Sequence, residues 1–159
     1  MSEVERIVDQ LERAYNGDAW CGSSLCATLE GVTAAQAARR PIPNAHSIWE
    51  IVLHVAAWMD AVRERIENHD VRLPAEGDWQ EVVETSEAAW ARTLDKLERR
   101  QQALCAVVAK LSDADLERFT NTERDAATGG GVTIYVTLHG TAQHSLYHAA
   151  QIALLKKMI

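Results

Sequence analysis

Ser47-Ile48-Trp49-Glu50-Ile51-Val52-Leu53-His54-Val55-Ala56-Ala57-Trp58 opens the segment whose reading decides the fold. Ser47 and Glu50 stand three apart at the start of an apolar run, so each side chain is placed to take a backbone N–H that a first helical turn leaves orphaned. Apolar residues then recur as Ile48, Ile51, Val52, Val55, Trp58, Val62 and Ile66, the three-and-four spacing of one helical face. The pattern predicts a helix from Ile48 to about Asn68, buried along that face.

Three more segments carry the same period. Ser2 and Glu5 cap the series Val4, Ile7, Val8, Leu11 and Tyr15, which Gly17 stops. Asp78 is read as the cap of a helix whose stripe is Trp90, Leu94, Leu97, Leu104, Val108 and Leu111, with a gap at Gln101. After the breaker Gly129-Gly130-Gly131, residues Ile134, Leu138, Thr141, Ser145, His148, Ile152 and Leu155 share a face. Lys156-Lys157 then suit the negative end of the helix dipole. Shorter helical pieces around Leu25 to Leu29 and after Thr33 lead to Pro41 and Pro43, which enforce extended backbone.

Three prolines and eight glycines are too few for the turns of a sandwich or barrel. The predicted fold class is therefore all-α, a four-helix bundle in one domain over residues 1–159. A long connection, residues 112–132, precedes the last helix, with a short turn of helix at Asp113 to Leu116. Loops of that length are uncommon unless they have a function, so this one is read as a candidate lid that crosses the bundle or covers an opening.

Composition sets the broad class. A chain of 159 residues, 47% apolar and 25% charged, has the make-up of an ordinary globular domain rather than a disordered, collagen-like or disulfide-scaffold chain. Sixteen basic against 23 acidic residues leave a net charge of −7, so no nucleic-acid partner is expected. The longest near-apolar stretch, Ile51 to Met59, is interrupted by His54 and falls short of the roughly 18 residues of a membrane span, so no membrane partner is expected either. Met1 to Arg6 shows no secretory pattern, and the three cysteines, Cys21, Cys26 and Cys105, form no C-x-x-C pair. Both features suit a cytoplasmic location.

His144 and His148 are four apart, about 40° from each other around a helix, so one face presents both imidazoles. That spacing suits divalent metals but also arises by chance. His54 adds weight, because it lies among Ile51, Val55 and Trp58 on a buried face where an unpaired polar ring is costly. Two readings stand open: three core histidines satisfied by hydrogen bonds, or three imidazoles meeting at a metal. Three together favour the metal. Three neutral nitrogen ligands leave coordination positions for water or substrate, as catalytic sites do. Ser145 follows His144 where a metalloprotease H-E-x-x-H motif would have glutamate, so that route to peptide hydrolysis is excluded.

Ser47-Ile48-Trp49-Glu50-Ile51-Val52-Leu53-His54 and Gly140-Thr141-Ala142-Gln143-His144-Ser145-Leu146-Tyr147-His148-Ala149-Ala150-Gln151-Ile152 resemble the DinB/YfiT-like superfamily, with helix lengths agreeing across the chain. The resemblance implies a site for zinc, nickel or a similar divalent ion, held by His54, His144 and His148. Some members of that superfamily are transferases or isomerases that use bacillithiol, mycothiol or glutathione. It therefore implies a metal-dependent enzyme with a thiol cosubstrate, a small-molecule substrate and a homodimeric state. A coordinated thiol loses its proton readily, which makes chemical sense of such a site. The competing expectation is a stress-associated dimer that binds metal without catalysis.

Other residues have weaker claims. His46, ahead of the capping box, is a candidate acid, base or substrate contact, although a solvated flanking residue is the simpler reading. Gln101 and Gln151 are candidates to hydrogen-bond a ligand imidazole. His139, about 140° from His144 around the helix, is excluded as a ligand, and His69 is read as a surface residue. Trp20, Trp49, Trp58 and Trp90 read as core rather than pocket, Cys21 and Cys26 as buried structural thiols, and Tyr147 as packed against another helix.

Overall fold

The computed structural model describes residues 1–121 and 123–159, so the predicted 112–132 connection is described except at Thr122. Helices α1 (Glu3–Asn16), α2 (Leu25–Leu29), α3 (Ala34–Ala38), α4 (Ile48–Asn68), α5 (Glu87–Val108) and α6 (Ile134–Lys156) follow in chain order. A 3-10 helix, Asp113–Glu117, stands between α5 and α6. Isolated bridges replace any strand among the described residues.

Local chemistry starts these helices, at Ser2, Thr33 and Ser47 where the sequence places the caps and at Ser112 in addition. Ser2 with Glu5, Thr33 with Gln36, Ser47 with Glu50 and Ser112 with Asp115 form reciprocal capping boxes. Glu50 is buried and also pairs with Arg40, which ties the start of α4 to the chain that leads into it. The Asp113 carboxylate accepts from the backbone N–H groups of Glu3, at 3.2 Å, and Val4, at 3.0 Å. It therefore satisfies orphan donors of α1 from more than 100 residues away in the chain.

The four long helices close into a ring. α4 packs against α5 and α6, and α1 packs against α6 and α5. α2 lies against α6 and α1, and α3 bridges α4 and α5. Ile7, Leu25, Ile48, Val52, Leu97, Leu104, Leu138 and Ile152 fill the centre. Each buried aliphatic chain removes enough apolar surface to contribute roughly 1.5–3 kcal/mol. The all-α bundle expected from the sequence is the fold observed. No described helix is long and apolar enough to cross a membrane.

Four local expectations need correction. α5 begins at Glu87, capped by Ser86, whose hydroxyl accepts from Ala89 N–H at 3.1 Å. Asp78 caps nothing, because the segment after it has Val82 and Val83 amid acidic residues and stays irregular up to Thr85. Trp20 is 94% exposed in a turn with positive φ, whereas Trp49 and Trp90 are core residues. Cys21 is exposed rather than buried, and Tyr147 points to solvent from the outer side of α6.

The connection from Arg118 to Ile134 leaves the bundle and returns to the same place. Thr120 N–H donates to Val132 O at 3.0 Å and Ile134 N–H to Arg118 O at 2.8 Å, closing its neck. Beyond the neck, the Asp125 carboxylate takes Ala127 N–H and the Thr128 hydroxyl, so the tip is internally bonded. Gly129 and Gly131 adopt φ of +73°, a backbone conformation that favours glycine.

Candidate metal centre

Helical spacing brings the histidines together from two directions. His54 projects from α4 with Trp58 and Arg65 on the same face, and His144 and His148 project one turn apart from the facing side of α6. The His54 and His144 Nε2 atoms lie 3.0 Å apart, and those of His148 and His144 lie 3.1 Å apart. All three residues offer a ring nitrogen within 4.8 Å of the other two. Two nitrogens each roughly 2.0–2.1 Å from one ion stand about 2.9–3.4 Å apart for bond angles between right and tetrahedral. The His54–His144 and His148–His144 separations both fall in that range.

The opposite edges of two rings decide where the protons sit. His54 Nδ1 is 2.8 Å from the backbone carbonyl of Asp78, which only accepts, so that nitrogen carries the hydrogen. His148 Nδ1 donates to Gln151 Oε1 at 2.7 Å. Both residues therefore turn an Nε2 lone pair toward His144 Nε2. A proton on His144 Nε2 points in one direction while two lone pairs approach it from two. A cation at the common point satisfies all three nitrogens at once, and the cluster can hold a metal ion.

Electrostatics favour the same protonation state. Burial, followed by the neighbouring imidazoles, pushes His144 down to about 3. Burial likewise takes His148 down to about 4 and lowers His54. At neutral pH all three rings are uncharged, the form that binds metal.

Asp78 and Trp79 belong to this centre although sequence reasoning did not place them there. The Asp78 carboxylate accepts from Trp58 Nε1 at 2.7 Å and stands 3.1 Å from His54 Nδ1. Trp79 stacks face to face on His54, with ring centroids 4.0 Å apart, and takes His46 on its other face at 3.6 Å. The adjacent pair Asp78-Trp79 in an otherwise irregular segment was the available signal. His46 thus lies two rings away from the cluster, behind the indole. Gln151 is in hydrogen-bond contact with His148, but Gln101 is elsewhere. Gln101 donates to Leu11 O at 3.2 Å and to Cys105 Sγ at 3.3 Å, which fills the gap in the α5 stripe with a buried tie to α1. His139 packs on Tyr135, and His69 ends α4 with Arg118 against its ring.

A cavity of about 460 Å³ adjoins the cluster. Its walls are the α4 face of His54, Trp58 and Arg65, the α6 face of Thr141 and His144, and the excursion from Arg124 to Val132. The segment read as a candidate lid supplies one wall of this cavity. Trp58, expected in the core, is a wall of this cavity. None of the three cysteines lines it, and burial raises the thiols of Cys26 and, to about 11, Cys105.

A family model for the DinB superfamily matches residues 19–152, a span that includes all three histidines and most of the chain. No curated protein and no solved structure matches the chain. The chain belongs to the DinB superfamily.

Proposed function

We propose that this protein is a divalent-metal-dependent enzyme, a transferase that joins a low-molecular-weight thiol to a small electrophile, with His54, His144 and His148 holding zinc or nickel. One observation carries the reading: three Nε2 atoms converge beside a small-molecule cavity, with the hydrogens of His54 and His148 on the far nitrogens. Nitrogen donors of this kind suit either ion. When bound, such an ion acts as a Lewis acid and lowers the pKa of a coordinated thiol, so that the thiolate is available at neutral pH.

The chain's own residues do the rest. The Asp78 carbonyl and Gln151 Oε1 hold the Nδ1 hydrogens of His54 and His148 and so keep Nε2 of each free to ligate. Trp79 stacks on His54 and fixes the plane of its ring. Trp58 and the Arg124 to Val132 excursion form walls of the cavity beside the histidines, where a small electrophile can be held. Among the described residues the cavity offers no protein thiol. The Thr141 hydroxyl donates to the Thr137 carbonyl of its own helix, which supports a nucleophile brought in as a cosubstrate.

Cobalt(II) substitution tests this reading. Adding a small thiol to the cobalt protein is expected to raise a sulfur-to-cobalt charge-transfer band, absent in His54→Ala and His148→Ala. Thiol consumption should then appear in a panel of electrophiles. Full cobalt occupancy with no thiol band and flat turnover would leave a metal-binding protein without this activity.

A further inference from the structure

Arg65 is buried on α4 with no carboxylate partner among the described residues. Its guanidinium carbon sits 5.2 Å above the Trp58 ring, and Nη2 donates to the Arg72 carbonyl at 3.1 Å. Nε is buried without a partner, and Nη1 makes no hydrogen bond among the described residues. A buried guanidinium left this way is costly unless something neutralises it, because a cation removed from water needs a counter-charge.

The surroundings point to a ligand rather than to a protein partner. Arg65 lines the same cavity as His54 and His144, and Gly129 comes over it from the excursion. A Cβ at Gly129 would lie 3.6 Å from Nη1, so the absent side chain leaves room above this donor. Among the described residues, Arg124, the other cation of the wall, donates to the Asp125 and Gly130 carbonyls alone. Among the described lining residues, Asp78 is the single acid, and it already serves Trp58 and His54. The wall therefore carries two guanidinium groups against one carboxylate, in a chain whose net charge is −7.

We propose that Arg65 is a carboxylate-binding subsite, and that the cavity's ligand is a small molecule with a carboxylate at one end and a thiol at the other, laid along Trp58. The order of groups supports that span. Along α4, Trp58 stands between His54 and Arg65; its ring is 6.3 Å from that of His54 and 6.4 Å from that of His144, and 5.2 Å from the Arg65 guanidinium carbon. A guanidinium whose Nη1 is unengaged among the described residues matches a monovalent carboxylate in charge and in hydrogen-bond donors. Apolar walls at Val62, Val132 and Val136 suit the short carbon chain between the two ends. The thiol end rests on the three-histidine reading, whereas the carboxylate end rests on Arg65 alone.

The test compares 3-mercaptopropionate with its neutral isostere 3-mercaptopropionamide on the cobalt protein, read by the charge-transfer band. In parallel, propionate is titrated against propionamide on the metal-free protein, read by the Trp58 Nε1–H resonance. The acid is expected to bind about tenfold or more tighter than the amide. Arg65→Met should erase that preference and Arg65→Lys should keep part of it. Arg65→Gln, which removes the charge but keeps a polar side chain at the site, should also lower it, so the conclusion does not hang on Arg65→Met folding well. Equal binding of acid and amide, or a preference that survives Arg65→Met, would overturn the proposal. If thiols leave cobalt unchanged while propionate still shifts Trp58 in an Arg65-dependent way, the thiol reading fails and the carboxylate subsite stands.

Discussion

His54 Nδ1 lies 2.8 Å from the carbonyl oxygen of Asp78, and this contact decides which nitrogen of His54 faces the cluster. The carbonyl cannot donate, so the hydrogen stays on Nδ1 and the Nε2 lone pair meets His144 and His148. A residue in the irregular segment between α4 and α5 thereby sets the tautomer of a helix residue.

Asp78→Ala is expected to keep that carbonyl but to lose the carboxylate that anchors Trp58 and stands beside His54. Metal affinity should fall roughly 10–100-fold, the usual cost of removing a partner that orients a ligand. Competition with a chromophoric chelator measures it, with helical content by circular dichroism unchanged. Unaltered affinity would mean that the carboxylate does not orient His54.

Gln151→Leu removes the acceptor of His148 Nδ1–H and leaves a buried N–H unpaired. A loss of metal affinity in the same roughly 10–100-fold range is expected. Gln101→Leu is the matched control. Its amide serves Leu11 and Cys105, so stability is expected to shift by about 1 kcal/mol with metal affinity unchanged.

Metal-free protein should become less stable as pH falls below 6.5. Unfolded histidines take up protons near 6.5, while folded His148 and His144 resist until about 4 and about 3. Between those values the unfolded state binds more protons, so stability rises with pH and is complete above 6.5. Thermal melts between about pH 5 and 7 isolate the histidines from most carboxylates. A His144→Leu, His148→Leu double variant should flatten the slope, and a flat wild-type profile would contradict the burial of neutral imidazoles.

Gly131→Ala tests the cavity wall. Its Cβ would fall 2.4 Å from Arg124 Cα and 2.6 Å from Glu123 O, at a φ of +73°. Beyond that clash, the backbone conformation alone costs roughly 1–3 kcal/mol. Hydrogen exchange should accelerate in the excursion between Arg118 and Ile134, while metal binding at the three histidines persists. Loss of metal together with the wall would show that the two are one cooperative unit.

The sequence made legible whatever rests on local rules. Ser47 with Glu50 starts α4 where expected, because a capping box acts within one turn. His54, His144 and His148 were legible for the same reason, since a 3.6-residue period assigns each to a face. Asp78 was misassigned because a carboxylate before a helical stripe resembles a cap, and its true partners, Trp58 and His54, are 20 and 24 residues away. Gln101 illustrates the converse. A polar gap in an apolar stripe does not tell which carbonyl it meets, and here that is Leu11 on α1. Arg65 lay on the readable face of α4, but no local pattern announces a buried guanidinium without an acid.

The most direct test is metal content per chain by elemental analysis, on protein purified without a histidine tag or chelator and then offered zinc or nickel. A His54→Ala, His148→Ala double variant is carried beside it. About one ion per chain in the wild type, with none in a variant of unchanged helical content, is the result expected of three convergent Nε2 atoms. Wild-type protein that takes up neither ion, or a variant that holds as much as the wild type, would contradict the metal centre.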